Sequence, residues 1–104
     1  ARLDELVSAG QPVFVDFTAA WCVSCQANKK LVLEREDAVR AFADKKVVLL
    51  RADWTRRDPA ITAALAEFGR RGVPVYALYR PGKSTLILPE ILTPGGWREA
   101  LGTL

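Results

Sequence analysis

Residues 13–25 of the chain read VFVDFTAAWCVSC. The first five residues of this stretch are β-branched or aromatic except for Asp16, which is typical of a strand buried on both faces. Such a strand is expected in the centre of a sheet. The stretch ends in Cys22 and Cys25, and a helical pattern extends over residues 22–32. The sequence therefore predicts a central strand that leads into a helix with two thiols at its start.

The remaining segments alternate between helical and strand patterns. Further helices are predicted at residues 2–9, 36–43, 59–68 and 93–101, and further strands at 47–52, 75–79 and 85–88. Strands alternating with helices imply parallel pairing, and the last two strands add an antiparallel hairpin. The predicted fold class is α/β, a central mixed sheet with helices on both faces. With 104 residues, the chain is expected to form a single domain, residues 1–104.

Two of these elements carry more detailed expectations. The strand at 47–52 is rich in valine and leucine and is expected to be buried. The helix at 36–43 is expected to bury Val39, Phe42 and Ala43, which have three- and four-residue spacing. Asp58 is expected to cap the helix that begins at Pro59.

Composition excludes several classes of function. Half of the residues are hydrophobic and 26% are charged, and no apolar run approaches the roughly 18 residues that a membrane span needs, so we expect a soluble domain. Residues 1–10 do not resemble an export signal, so the chain is expected either to stay where it is made or to be a fragment of an exported protein. The net charge of +3 comes from scattered basic residues, and nucleic-acid binding is not expected.

The chain contains no histidine. Hydrolases of the Ser-His-Asp and Cys-His types are therefore excluded. Tetrahedral zinc needs four ligands, which two cysteines cannot supply within one chain, and no metal site is predicted.

The spacing of Cys22 and Cys25 predicts thiol–disulfide exchange. That chemistry needs one thiolate that attacks and a second thiol that resolves the mixed disulfide. At the helix start, Cys22 would lie near free backbone N–H groups that favour its thiolate, whereas Cys25 lies one turn inside and is more buried. Cys22 is thus the expected nucleophile and Cys25 the resolving thiol, with no cofactor beyond their redox-active disulfide. Two alternatives remain: binding of a soft metal such as Cu(I), and a pair of inert buried thiols.

Asp16 is a carboxylate inside an apolar strand. Because burial disfavours its charged form, its pKa is expected to be raised. It could lie beneath Cys25 and exchange a proton with that thiol as it is activated. The alternative is that the strand end is simply exposed to water.

Lys29 follows the two cysteines at helical spacing and would lie on the same helix face. A cation there favours the thiolate of Cys22. Alternatively, Lys29 could pair with Asp16 and have no electrical effect on the thiols, or it could extend into water.

Residues 15–25 resemble the active-site segment of thioredoxins, and residues 72–74 (GVP) resemble the loop that carries their cis-proline. Three further segments, CQANKK at 25–30, ADWT at 52–55 and FGRRGVP at 68–74, resemble the C-terminal periplasmic domain of the transmembrane reductant conductor DsbD and of its copper-tolerance relative ScsB. The likeness spans nearly the whole chain. It implies a thioredoxin fold in which Trp21 covers the active site and a cis-proline, Pro74 after Val73, faces the disulfide.

The resemblance also implies a place in an electron relay. Such domains take electrons from the membrane-embedded portion of their own parent protein and pass them to its N-terminal periplasmic domain, and so towards disulfide isomerisation and cytochrome c maturation. The expected location is the periplasm, in a domain of an inner-membrane protein, and the expected partners are other protein thiols and disulfides. Many DsbD-like sequences carry an acidic residue at the position of Lys29, so the tuning of the thiols is expected to differ here.

Overall fold

A computed structural model describes residues 2–104 as a four-stranded sheet with helices on both faces. The chain forms, in order, α1 (Arg2–Ser8), β1 (Val13–Thr18), α2 (Val23–Asn28), a π-helical segment (Lys29–Leu33), α3 (Glu36–Asp44), β2 (Val48–Asp53), α4 (Pro59–Glu67), β3 (Val75–Tyr79), β4 (Leu86–Leu88) and α5 (Pro94–Leu101). No helix within residues 2–104 is long and apolar enough to cross a membrane.

The sheet has the order β2-β1-β3-β4. β1 pairs with β2 in parallel and with β3 antiparallel, and β3 pairs with β4 antiparallel. The predicted α/β class and the mixed sheet are confirmed. β1 is an inner strand and all six of its residues are buried, as its apolar composition predicts.

Side chains of β1 alternate between two hydrophobic cores. Phe14 packs with Tyr76, Phe42 and Trp97 on the face covered by α2, the π segment, α3 and α5. The opposite face carries Val13, Val15 and Phe17, which pack against residues of α1 and α4. Because strand side chains alternate, Asp16 lies on the same face as Phe14, beneath the elements that follow the cysteines.

The expectation of a buried second strand is wrong. β2 lies at the edge of the sheet, and its residues alternate between half-buried and exposed. Leu49 is 39% exposed, in keeping with the position of β2 at the edge of the sheet. This edge position matters for the site because it places Arg51 at the rim of the sheet.

Two helices also differ from expectation. The helix predicted at 22–32 is divided, because Glu34 N–H bonds to Lys29 C=O and opens a π turn after α2. In α3 the buried residues are Ala38 and Phe42, whereas Val39 is 57% exposed and Ala43 is also exposed. Ala38 and Phe42 are four residues apart and lie on the helix face that meets the core. Val39 is rotated by about 100° from Ala38 around the helix axis. Asp58 caps α4 as predicted, through bonds from two backbone N–H groups.

Candidate functional site

Cys22 and Cys25 form a disulfide at the point where the chain leaves β1 and enters α2, with their Cα atoms 5.2 Å apart. Cys22 is the N-cap of α2, which begins at Val23, one residue after the predicted start of the helix at Cys22. Its Sγ accepts a hydrogen bond from the backbone N–H of Cys25 at 3.2 Å, and the Ser24 hydroxyl lies 3.6 Å away. These donors converge on the sulfur of Cys22, and they favour negative charge on it when the disulfide is reduced.

Both cysteines are buried, and Cys22 is the more exposed of the two. The exposed fraction is 7% for Cys22 and 2% for Cys25, which agrees with the predicted order. The disulfide packs against Ala19 and Val73. A partner sulfur can therefore approach Cys22 more readily than Cys25.

Trp21 is half exposed beside the disulfide and is fixed by the loop after β2. Its indole N–H donates to the backbone C=O of Thr55 at 3.0 Å, and 49% of the residue remains accessible. The Thr55 hydroxyl accepts a bond from Ala20 N–H at 2.8 Å and is itself bonded to the Asp53 carboxylate. Hydrogen bonds from Thr55 lower the pKa of Asp53 below its usual value. This loop was not predicted to hold the active-site segment.

The Val73–Pro74 peptide bond is cis, as the resemblance implies. Val73 contacts the cluster that contains both cysteines, and Pro74 is buried at the start of β3. The loop before Pro74 also lies close to the Trp54 ring. Glycine has no Cβ, but one added at Gly72 would lie 3.8 Å from that ring.

Asp16 is only 2% exposed, so the water-exposed alternative is wrong. Its carboxylate forms an ion pair with Arg51, 3.5 Å from Oδ2 to Nε, because the two residues are in register on the parallel strands β1 and β2. Burial raises the pKa of Asp16, against the opposing charges of Arg51 and Lys29. The predicted direction of the shift is confirmed. Sequence reasoning missed Arg51, because only the strand register reveals it.

Lys29 forms an ion pair with Glu34 at 3.8 Å, across the π segment. The alternative in which Lys29 pairs with Asp16 is wrong, since Arg51 holds that position. Lys29 and Arg51 nevertheless line one polar cleft beside the active-site segment, together with Gln26. The charge of Lys29 still lowers the pKa of Asp16.

Asn28 is a buried polar residue at the end of α2 that sequence reasoning did not single out. Its amide donates to the Tyr76 hydroxyl and to the C=O of Glu90, each at 2.8 Å, and its carbonyl accepts from Leu92 N–H at 3.2 Å. Burial raises the pKa of Tyr76 to about 12, although the bond from Asn28 opposes that shift. The hydrogen bonds of Asn28 thus connect α2 to β3 and to the segment between β4 and α5.

Comparison with known proteins places these features in a family. The sequence profile of the thioredoxin-like family matches residues 1–81. The chain is 33% identical over 81 residues to the thiol:disulfide interchange protein DsbD of Klebsiella pneumoniae and 40% identical over 78 residues to that of Ralstonia nicotianae. These matches cover 76% and 71% of this chain, but only 13% and 12% of the two relatives.

The fold agrees with a solved relative. The oxidised C-terminal domain of Neisseria meningitidis DsbD superimposes with a TM-score of 0.77 at 25% identity, covering 98% of this chain and 85% of that domain. The thioredoxin fold that the resemblance implies is confirmed. The chain therefore belongs to the thioredoxin-like family, as a CxxC-containing domain that matches the C-terminal domain of DsbD.

Proposed function

We propose that this domain is a protein-disulfide reductase, which relays electrons by thiol–disulfide exchange through Cys22 and Cys25. The observation that carries the proposal is the position of the disulfide. Cys22 caps a helix and receives a backbone N–H bond, and a half-exposed tryptophan lies beside it. A purely structural disulfide between residues three apart would restrain the unfolded chain little, because it closes so short a loop.

The reaction begins with the reduced pair. The Cys22 thiolate attacks one sulfur of a partner disulfide, so the partner S–S bond breaks and a mixed disulfide forms. The second partner sulfur leaves as a thiolate and takes a proton. Cys25 then loses its proton and attacks the Cys22 sulfur, which forms the Cys22–Cys25 disulfide and releases the first partner sulfur. Two electrons and two protons have passed to the partner, and a dithiol donor restores the reduced pair.

Asp16 is the proposed proton acceptor for Cys25. It is buried on the sheet face that also carries Tyr76, to which Asn28 of α2 bonds. Its raised pKa brings it closer to the range in which a base can both take and return a proton. Arg51 supports it as a positioning residue, since the ion pair fixes one carboxylate oxygen at the rim of the sheet. Trp21, Val73 and Pro74 form the proposed contact surface around the disulfide.

The matches to DsbD support the proposed setting. We place the domain in the periplasm, as part of a larger inner-membrane protein that supplies electrons through a membrane-embedded dithiol and passes them to an N-terminal periplasmic domain. A general thioredoxin-like reductase would use the same residues with other partners. Binding of Cu(I) by the two thiolates is the second alternative.

A trapping experiment tests the proposal. The Cys25→Ala variant should accumulate a covalent adduct with a disulfide-containing protein through Cys22, while Cys22→Ala should not. Reduction of insulin by the wild-type chain, with a chelator present, separates exchange from metal binding. Equal trapping by both variants would refute the assigned roles, and failure to reduce any disulfide with or without chelator would refute the function.

A further inference from the structure

On the surface near the disulfide, an arginine packs over two adjacent tryptophans. The guanidinium carbon of Arg57 lies 5.2 Å from the centroid of the Trp21 ring and 4.9 Å from that of Trp54. The two rings are themselves 5.8 Å apart. Trp21 directly precedes Cys22, so Arg57 packs against the residue next to the reacting cysteine.

The backbone of Arg57 is also unusual. Its φ is +53°, a left-handed conformation that is uncommon for residues other than glycine, asparagine and aspartate. Its N–H donates to the C=O of Trp54 at 2.9 Å, which closes the turn.

The charge of Arg57 is not neutralised within the part of the chain that the structure describes. Across residues 2–104 no carboxylate forms an ion pair with Arg57 or with the adjacent, exposed Arg56. The two acids closest to Arg57 in sequence direct their carboxylates to other groups: Asp53 to Thr55, and Asp58 to the N-terminus of α4. The exposed guanidinium of Arg57 is therefore available to a carboxylate of a partner.

We infer that Arg57 selects partners that carry carboxylates beside the reactive cysteine. This inference rests on the proposed function and names the chemistry of its substrate: an acidic segment flanking a disulfide. The two indole rings hold the guanidinium in place, so little side-chain freedom is lost when a carboxylate binds its N–H donors. Such charge complementarity accelerates encounter and fixes the orientation of the partner cysteine near Cys22.

Three matched peptides test the inference. Each contains one intramolecular disulfide, and the three residues beside the attacked cysteine are all Glu, all Gln or all Lys. The reduced 104-residue chain is mixed with each peptide, and the second-order rate constant is measured at about 10 mM and about 500 mM salt, where screening is weak and strong. We expect the Glu peptide to react about fivefold faster than the Gln peptide at low salt, the Lys peptide to be slowest, and the preference to shrink at high salt.

Two charge-removing variants separate a local effect from a general one. Arg57→Gln should bring the ratio of the Glu-peptide rate to the Gln-peptide rate close to one. Lys45→Gln removes the same charge at the C-cap of α3, at the opposite end of the parallel strands, and should leave the preference for the Glu peptide unchanged. Arg57→Lys retains the positive charge and should keep most of the preference for the Glu peptide. That result would exclude a loss of local structure as the cause of the Arg57→Gln effect.

The outcomes separate the preference for acidic partners from the proposed reductase function. Equal rates for all three peptides, or equal effects of Arg57→Gln and Lys45→Gln, would overturn the inference while leaving the reductase function intact. Failure to reduce any of the peptides would refute both.

Discussion

Replacement of Arg51 by glutamine removes the cation that pairs with the buried carboxylate of Asp16. The groups that face Asp16 come from three elements: Arg51 from β2, Tyr76 from β3, and Lys29 from the π segment after α2. Of these, Arg51 makes the direct contact, at 3.5 Å. Arg51→Gln therefore leaves the carboxylate on the same sheet face with only the more distant charge of Lys29.

The size of the effect follows from the burial of the two partners. Loss of one partner of a fully buried ion pair costs about 3–5 kcal/mol. The Asp16 side chain is 3% exposed but that of Arg51 is 43% exposed, so water screens the pair and we expect about 1–2 kcal/mol. The exposed pair between Arg40 and Glu36, with side chains 67% and 87% exposed, provides the control, and Arg40→Gln should cost less than about 0.5 kcal/mol.

The sign of the pH dependence is fixed by the direction of the shift. Because the pKa of Asp16 is raised in the folded protein, the folded state binds more protons than the unfolded state above the ordinary value of 3.8. Stability is therefore lost as the pH rises through the folded-state pKa. Arg51→Gln raises that pKa further, so its penalty should appear at pH 8 and largely vanish near pH 3, where Asp16 is protonated in both states.

Urea denaturation at both pH values measures these differences. A double-mutant cycle with Asp16→Asn isolates the pairwise energy, and the Arg51→Gln penalty should largely disappear when Asp16 can no longer ionise. A penalty that is equal at pH 3 and pH 8, or that persists in the double variant, would show that Arg51 acts through packing and would refute the electrostatic argument.

Three further predictions concern residues in and around the helix that follows Cys22. Asp16→Asn should slow the release of mixed disulfides at least tenfold more than their formation, because only release needs Cys25 to lose its proton. Rapid-quench measurements follow both steps, and equal slowing would show that Asp16 has no such role. Lys29→Glu should lower the thiolate fraction of Cys22 at neutral pH, followed by ultraviolet absorbance, and an unchanged or larger fraction would mean that Lys29 does not tune the site. Asn28→Ala should destabilise the protein by about 2–3 kcal/mol in urea, because buried hydrogen-bond partners are left unsatisfied, and a loss below about 0.5 kcal/mol would contradict the assigned network.

Local patterns were sufficient to predict much of the fold. The apolar run of β1 and the spacing of Cys22 and Cys25 predict the central strand and the redox pair without any knowledge of tertiary contacts. The resemblance of residues 72–74 to the proline loop predicts the cis bond before Pro74. Each of these features depends on residues adjacent or close in sequence.

The features that were missed depend on register and packing. Leu49 and Arg51 belong to an apolar run, and nothing in that run shows that β2 lies at an edge. The pairing of Arg51 with Asp16 requires the parallel register of two strands 35 residues apart in sequence. Likewise, Asn28 acquires its partners only when β3 and the segment after β4 come together beneath α2.

These long-range polar contacts explain how the helix can remain in place while its disulfide opens and closes. Reduction removes a bridge between residues only three apart, and so short a loop contributes little to the restraint of the unfolded chain. The position of α2 is fixed instead by Asn28, which bonds to Tyr76 and to the backbone of Glu90 and Leu92. None of these bonds involves a cysteine. The reaction breaks the disulfide but none of the hydrogen bonds of Asn28 that hold α2. The donors that favour the Cys22 thiolate can therefore keep their geometry in both redox states.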